Sequence, residues 1–268
     1  MTALPTSTSG RDALEVATEA SREAGEILKT HFREDRQVRY KGRANIVTDV
    51  DLKAEKSLRD FVQREYPHHN IVSEESEPVE NDSEYTWIFD PLDGTNNYSF
   101  GIPHFATVTA LTKGQDVLLG IVYDPLRDEM FAAVQGGGTT VNGKAASVTD
   151  KKVVTESLIG LDLGYIDEIG NELLRFMSVL WPNLYAFRIM GSAALGMAYA
   201  ACGRLDIYFH ALVYPWEIGA GKLLVTEAGG VLTDWEGNIP AVGESSIIAS
   251  NQSVHADFLR LLRERTPR

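Results

Sequence analysis

The sequence predicts a layered α+β fold, and two regions with different patterns carry this prediction. Before about residue 150, short apolar segments are joined by turns, which is typical of an antiparallel sheet. After it, strand-like and helix-like segments alternate. With 268 residues, 44% of them hydrophobic, the chain can bury a large core. We therefore expect a flexible polar leader (1–10) and two lobes (11–150 and 151–268) that form one compact unit.

The first lobe begins with two predicted helices. From Arg11 to about Glu34, apolar residues recur on one helical face. The segment from Asn45 starts extended and continues as a second amphipathic helix, which Pro67 ends. Two short strands follow, in "NIVSEES" and "YTWIF".

The middle of the chain is the predicted antiparallel sheet. The segments "FATVTALT", "DVLLGIVYD" and "EMFAAV" have the composition of strands. Asn142-Gly143 is a signal for a tight hairpin.

The second lobe alternates. Strands are predicted in "SLIGLDLG", "RLDIYF", "VLTDW" and "SSIIAS", and helices in "IDEIGNELLRFMSVLW", "SAALGMAYAACG", "PWEIGAGKLLVTEAGG" and "SVHADFLRLLRER". Ser192 and Gly203 stand where a helix N-cap and a C-terminal glycine belong.

Composition narrows the class of partner and compartment. The formal net charge of −13 argues against nucleic acid or an anionic membrane as a partner. A single cysteine, Cys202, excludes an internal disulfide and fits a reducing cytoplasm. No apolar run approaches the roughly 20 residues that cross a bilayer. We expect a soluble, cytoplasmic protein that binds a small molecule.

The segment "WIFDPLDGTNNYSFG" offers a candidate site. Asp90 and Asp93 follow a predicted strand, where ligands commonly bind in layered α/β proteins. Pro91 forces a turn that can bring both carboxylates and the Leu92 carbonyl to one side. Such oxygen ligands suit Mg²⁺, and Gly94 lets a backbone amide approach an anion. Taken alone, the segment is equally compatible with an ordinary polar turn.

Rival phosphate motifs fail on spacing. The haloacid dehalogenase signature has one residue between its aspartates, whereas Asp90 and Asp93 have two. The chain has no Walker Gly-Lys-Ser/Thr segment, and the oxygen ligands do not alternate as in a calcium loop.

Two other acidic pairs precede this segment. Glu74 and Glu75 lie at the end of a predicted strand, and Asp49 and Asp51 lie near the start of the second helix. Each pair by itself is also compatible with a solvated surface cluster.

Taken in order, these motifs resemble the inositol monophosphatase-like family of Mg²⁺-dependent, lithium-sensitive sugar phosphatases. The resemblance runs from about Asp12 to the final helix. It is carried by the segments "NIVTDVD", "IVSEES", "WIFDPLDGTNNYSFGIPHF", "GSAALGMAYAACGRLDIYF" and "PWEIGAGKLLVTEAGG". It implies a five-layer αβαβα sandwich, with an antiparallel first sheet and a mixed second sheet, that is often a homodimer.

The resemblance also implies two or three Mg²⁺ ions. Glu74, Asp90 and the Leu92 carbonyl match the first metal site. Asp90, Asp93 and Glu217 match the second. Asp51, together with Glu74, matches the residues that hold a third metal and the attacking water.

The remaining matched positions bind the substrate. Gly94 and Thr95 match the phosphate cradle, and Thr95 also orients the water, so that Asp51, Thr95 and Glu74 form the implied catalytic set. Lys41 matches a basic residue at the mouth of the site, and an ordinary exposed lysine is the equal alternative. The other implied substrate contacts are Asp93, Gly191, Ser192, Ala193 and His210.

Two positions depart from the family pattern. Glu217 stands where aspartate is usual, and its extra methylene displaces the carboxylate unless the backbone retreats or Glu217 turns back on itself. We expect a usable but looser second metal site; the alternative is that Glu217 only caps the helix after Pro215. His210 stands where inositol-hydrolysing members have an acid that binds ring hydroxyls. A histidine does not supply the same pair of acceptors. The alternative is that His210 simply ends a strand at the surface.

The leading hypothesis is therefore a Mg²⁺-dependent phosphatase for a small sugar or polyol phosphate, with inositol-1-monophosphatase as the family default. Because of His210, fructose-1,6-bisphosphate, histidinol phosphate and a nucleotide 3′-phosphate remain open as substrates. A non-catalytic metal- or ligand-binding regulator on the same scaffold is the remote alternative.

Overall fold

The computed structural model describes residues 2–43 and 45–265, which contain seven α-helices and fourteen strands. The helices are α1 (Ala13–His31), α2 (Asp49–Glu65), α3 (Thr95–Ser99), α4 (Asp167–Leu180), α5 (Ala193–Ala201), α6 (Pro215–Glu227) and α7 (Gln252–Arg265). The strands of the first half are β1 (Val38–Gly42), β2 (Asn45–Thr48), β3 (Asn70–Ser73), β4 (Tyr85–Asp93), β5 (Ala106–Lys113), β6 (Asp116–Asp124), β7 (Glu129–Val134), β8 (Thr139–Val141) and β9 (Lys144–Ala146). The strands of the second half are β10 (Leu158–Asp162), β11 (Ala186–Ile189), β12 (Ile207–Val213), β13 (Val231–Thr233) and β14 (Ser245–Ser250).

The first sheet has seven strands in the order β3-β4-β5-β6-β7-β8-β9. It is antiparallel as predicted, apart from the parallel pair β3–β4. The exception arises because the segment between these two strands carries the chain back to the same end of the sheet. Asn142 and Gly143 both have positive φ and form the predicted hairpin turn between β8 and β9.

The second sheet has five strands in the order β11-β10-β12-β14-β13 and is mixed, as predicted. Strand β10 runs parallel to β11 and β12, whereas β14 runs antiparallel to β12 and β13. Strand β11 was not predicted. It is an edge strand whose last two residues, Arg188 and Ile189, are exposed, so its sequence lacks the apolar pattern of a buried strand.

Three apolar clusters define the layers. Helices α1 and α2 pack on the outer face of the first sheet. Helices α5 and α6 lie between the two sheets and contact both. Helices α4 and α7 cover the outer face of the second sheet. The five-layer αβαβα sandwich is therefore confirmed.

Residues 2–10, for which we predicted a flexible leader, make contacts with distant residues. The backbone N–H of Thr2 donates to the Gln135 carbonyl, and the Tyr66 hydroxyl donates to the Pro5 carbonyl at 2.9 Å. Ser7 is buried. Residues 2–10 are held against the first lobe by bonds to distant residues, which a local reading of polar composition does not detect.

No helix in the described part of the chain is both long enough and apolar enough to cross a membrane.

Candidate active site

Strand β4 delivers the first ligand candidates through an irregularity in its pairing. The predicted strand end at Asp90 is wrong by three residues, because β4 continues to Asp93. Its ladder with β5 shifts between these two aspartates, where Pro91 has no N–H to donate. The Leu92 N–H turns back to the Asp90 carboxylate at 3.0 Å. Both aspartates are buried at one end of the sheet.

Gly94, which follows this irregularity, has a φ of 92°. A Cβ at this position would lie 3.0 Å from the His104 carbonyl oxygen and 3.1 Å from that of Gly191. Glycine is required both by the left-handed backbone and by the close approach of these two carbonyls.

Thr95 and Asp51 form a hydrogen-bonded pair. The Thr95 hydroxyl lies 3.1 Å from Asp51 Oδ1 and 2.9 Å from the Leu92 carbonyl oxygen, and either can accept its proton. Asp51 is fixed by the capping box of α2, in which its Oδ2 accepts from the N–H and the hydroxyl of Thr48. Burial raises the pKa of Asp51 to about 6. Thr95 lines the cavity described below, whereas Asp51 lies behind it.

Glu74 and Glu75 follow β3 and share the ammonium group of Lys41. Lys41 Nζ lies 2.7 Å from a carboxylate oxygen of each residue. Burial by itself lowers the pKa of Lys41, but the two carboxylates raise it above its ordinary value. Burial raises the pKa of Glu74 in spite of Lys41. Lys41 is thus part of an ion-paired group at the cavity wall, not an isolated exposed lysine.

Asp93 connects β4 to the start of α5. The Ser192 hydroxyl donates to its carboxylate, as do the N–H groups of Ala193 at 3.1 Å and Ala194 at 3.0 Å. Ser192 is also the predicted N-cap, since its oxygen accepts from the Leu195 N–H. Burial raises the pKa of Asp93 to about 6, although these donors oppose the shift.

The Glu217 side chain turns back on its own helix, which is one of the two ways in which its extra methylene could be accommodated. Its Oε2 accepts from the Tyr214 N–H at 2.7 Å, within the first turn of α6. The helix-capping role is therefore confirmed, and the side chain also lines the cavity. Burial, and then the charge of Asp93, raise the pKa of Glu217 well above its ordinary value.

His210 is buried, so the expectation that it ends a strand at the surface is wrong. It lies within β12 beside Asp162 and lines the cavity. Its Nδ1 accepts from the Leu212 N–H at 3.1 Å. Burial lowers the pKa of His210 to about 4.

The sequence reasoning missed Asp162, which lines the same cavity from the end of β10. Its carboxylate accepts from the N–H groups of Met190 and Gly191 and from the Tyr208 hydroxyl at 2.7 Å. Burial raises its pKa to about 6. The signal that could have found it is the one used for Asp90, an acid at the end of an apolar strand. Tyr165 also lines the cavity and was missed.

These residues surround one cavity of about 430 Å³. Apart from Asp51, all the residues singled out as site candidates line it: Lys41, Glu74, Asp90, Leu92, Asp93, Gly94, Thr95, Gly191, Ser192, Ala193, His210 and Glu217. Within residues 2–43 and 45–265, no three acidic, histidine or cysteine side chains form a ready-made metal shell. Their oxygens instead accept bonds from groups such as the Lys41 ammonium, the Ser192 hydroxyl and the Tyr214 N–H.

The carboxylates nevertheless fit a cation. Burial raises the pKa of Asp90 well above its ordinary value, and the charges of Glu74, Asp93 and Glu217 raise it further. Like charges held together in a buried site are stabilised either by protonation or by a bound cation.

Comparison with known proteins assigns this chain to the phosphoric monoester hydrolases. The model of the inositol monophosphatase family matches residues 11–266. The chain belongs to the inositol monophosphatase family.

Individual relatives agree with this assignment. A Dictyostelium discoideum protein named inositol monophosphatase is 34% identical, over 94% of this chain and 95% of its own length. A Pasteurella multocida protein named Nus factor SuhB is 33% identical, over 93% and 95%. The crystal structure of the extragenic suppressor protein SuhB from Bartonella henselae superposes with a TM-score of 0.90, at 32% identity over 94% of this chain and 99% of that one. An IMPase from Thermotoga maritima superposes with a TM-score of 0.86, at 30% identity over 94% and 96%.

Proposed function

We propose that this protein is a Mg²⁺-dependent phosphatase that hydrolyses a small sugar or polyol phosphate by attack of water, with inositol 1-phosphate as the first substrate to test. The observation that carries the proposal is the meeting of Glu74, Asp90 and Asp93 in one cavity with Thr95, whose hydroxyl is bonded to Asp51.

The assignment of metal ligands follows the chemistry of the donors. Glu74, Asp90 and the Leu92 carbonyl would hold a first ion, and Asp90, Asp93 and Glu217 a second. Asp51 would help Glu74 to hold a third through oxygen donors of the kind that Mg²⁺ prefers. When bound, such ions lower the pKa of water and offset the charge of the phosphate.

Thr95 and Asp51 supply the route for the proton. The Thr95 hydroxyl can donate its proton to Asp51 while its oxygen accepts one from the attacking water. The Asp51 carboxylate is placed to accept that proton, because its Oδ1 lies 3.1 Å from the Thr95 hydroxyl.

Lys41 must change partners when a cation takes the Glu74 carboxylate. Glu75 is placed to keep the ammonium group, because its own oxygen lies 2.7 Å from Lys41 Nζ. Lys41 would then stay at the mouth of the site as a cation for the phosphate. The backbone amides of Gly94 and Thr95 would hold the phosphate oxygens on the cavity floor.

The test is phosphate release from inositol 1-phosphate, fructose-1,6-bisphosphate, histidinol phosphate and adenosine 3′,5′-bisphosphate, with Mg²⁺ and with a chelator. We expect release that needs Mg²⁺ and is inhibited by Li⁺. The preferred member of the panel assigns the substrate. Absence of release from every member, with Mg²⁺ binding intact by calorimetry, would support the non-catalytic regulator instead. The name Nus factor carried by the SuhB relatives keeps that alternative in view.

Assembly and location belong to the same proposal. The resemblance implies a homodimer, and exposed apolar side chains lie on and beside the β11 edge, including Trp181, Tyr185 and Ile189. A second copy packing there would cover them. Sedimentation of the wild type and of Ile189→Asp tests this, because a dimer through this edge should dissociate in the variant. The cytoplasmic location stays a prediction.

A further inference from the structure

His210 is held in one orientation on the wall that the second sheet contributes to the cavity. On β12, His210 pairs with Asp162 of β10 and with Ile247 of β14. The pairing register of β12 and β14 then shifts between His210 and Val213. That shift coincides with the turning of the Leu212 N–H to His210 Nδ1, at 3.1 Å. On another side, a Cβ on Gly164 would lie only 3.5 Å from His210 Cε1, so the loop after β10 packs against the ring.

This hydrogen bond decides which nitrogen carries the proton. A backbone N–H can only donate, so Nδ1 is the acceptor and the proton of the neutral ring is on Nε2. The lowered pKa of His210 agrees with a neutral ring. The ring therefore offers the cavity an N–H donor and no acceptor.

Asp162, which pairs with His210 across the sheet, is already engaged within the protein. Its two carboxylate oxygens accept three bonds, from Met190, Gly191 and Tyr208. Asp93 likewise accepts from the first turn of α5.

Charge and shape further restrict the group that fits. Asp162 and Asp93 lie near enough to raise the pKa of Glu217, so an anionic group near this wall would be repelled. Apolar side chains of Leu163, Ile189 and Leu212 line the same region. A neutral oxygen matches a neutral donor in such surroundings.

Building on the proposed phosphatase function, we infer that His210 selects a leaving alcohol that presents a neutral oxygen acceptor, such as a carbonyl or ring ether, at this wall. A hydroxyl still binds His210 through its lone pairs, but the neutral ring offers no acceptor for the hydroxyl proton.

The test uses isosteric derivatives of inositol 1-phosphate in which one ring hydroxyl at a time is replaced by a carbonyl or by hydrogen. At the position that meets His210, we expect the wild type to favour the keto over the deoxy derivative in kcat/KM by at least about tenfold, as for one hydrogen bond. His210→Gln keeps an amide donor and should keep that ratio. His210→Leu removes the donor and should bring the ratio close to one. His210→Glu should reverse the order of the hydroxyl and keto forms.

The outcomes separate the two proposals. Release of phosphate with the same keto-to-deoxy ratio in the wild type and in His210→Leu overturns the role of His210 alone. Absence of release from every inositol derivative, with release from another member of the substrate panel, overturns this inference and leaves the phosphatase function standing. Absence of release from the derivatives and from the whole panel overturns both. Thermal melts of each variant, and the His210→Gln variant as the mildest change, keep a folding defect from imitating a loss of selectivity.

Discussion

The two walls of the cavity use buried acids in opposite ways. On the wall of the first sheet, Asp90 lies among charges that all raise its pKa, and Glu74 shares one lysine with Glu75. On the wall of the second sheet, Asp162 is equally buried but accepts three bonds from the protein. The repulsion around Asp90 is unfavourable unless a cation is bound, whereas the Asp162 carboxylate is already stabilised by its hydrogen bonds.

The contrast between Asp90 and Asp162 separates an arrangement that favours a cation from an architectural one. Asp93 combines the two, since it lies beside Asp90 and also accepts from Ser192, Ala193 and Ala194. A carboxylate surrounded by other carboxylates favours a bound cation at the expense of the stability of the free protein. A carboxylate surrounded by N–H and O–H donors holds loops in place. Burial alone does not distinguish the two, because the partners decide.

The largest expected contrast comes from the same substitution on each wall. Asp90→Asn should lower kcat by about 10³-fold or more, since a ligand of both proposed ions is weakened. It should also raise or preserve stability without metal, because one repelled charge is removed and an amide oxygen can still accept from Leu92. Phosphate release and urea unfolding in a chelator measure these two effects.

Asp162→Asn is the matched control. Its amide nitrogen would face the Tyr208 hydroxyl, which must then accept instead of donate. We expect less than about a tenfold loss of kcat and a loss of about 1–2 kcal/mol of stability. Similar behaviour of the two variants in both assays would show that the contrast between the walls is wrong.

The Thr95–Asp51 pair offers a second test of the first wall. Thr95→Val removes the hydroxyl at nearly constant volume and should lower kcat by about 10²-fold or more, because the proton route is lost. Thr95→Ser keeps the hydroxyl and should stay within about tenfold of the wild type. Steady-state kinetics at saturating Mg²⁺ measure both, and equal activity of the Val and Ser variants would exclude the hydroxyl from the reaction.

Glu217 combines the two kinds of role that the walls illustrate, since it caps α6 and also lines the cavity. Glu217→Gln keeps an oxygen for the Tyr214 N–H but removes the charge, so the Mg²⁺ concentration for half-maximal activity should rise about tenfold with little change in melting temperature. Glu217→Ala removes both and should also lower the melting temperature. An unchanged Mg²⁺ requirement in both variants would leave Glu217 with capping alone.

The smallest expected effect is a change in how stability depends on pH. Asp51, Asp93 and Asp162 have a pKa of about 6 in the folded chain against 3.8 ordinarily, so from about pH 4 to 6 the folded state holds protons that the unfolded state has released. Their contribution to the free energy of unfolding therefore falls as pH rises. His210 and His255 have a pKa of about 4 in the folded chain against 6.5 ordinarily. Their contribution to the free energy of unfolding therefore rises with pH over a similar window.

Mg²⁺ should remove the contribution of the aspartates that bind it, because it keeps their carboxylates ionised. Urea unfolding between about pH 4.5 and 6.5 should then give a more positive slope with Mg²⁺ than with a chelator. His255→Gln, far from the cavity, should make the slope less positive in both conditions. Identical slopes with and without Mg²⁺ would contradict the cation-dependent description of the first wall.

Local patterns were sufficient for much of the fold. For the first wall they gave candidate residues, and only the family resemblance assigned roles to them. The β4 segment carries its proposed ligands within a few residues, and the Ser192 side chain caps the helix that follows it. The second wall was harder to predict. Asp162 takes its role from Met190, Gly191 and Tyr208, which lie 28 to 46 positions away in sequence.

The errors have the same physical origin. Strand β11 lies at an edge with exposed residues, so it has no clear period, and only pairing with β10 makes it a strand. The contacts of residues 2–10, whose predicted flexibility stays a prediction, are equally non-local, since Thr2 bonds to Gln135 and Pro5 to Tyr66. In each case a contact between distant parts of the chain decides the outcome.

Gly94 restricts mutation on one side of the cavity more than on the other. Because a Cβ here would meet the His104 and Gly191 carbonyl oxygens, a side chain would have to displace one of them. Substitution is thus disfavoured at the proposed phosphate site, which serves the group common to all the candidate substrates. Changes in substrate range are instead expected at positions such as 210, which lies in strand β12 and does not require glycine.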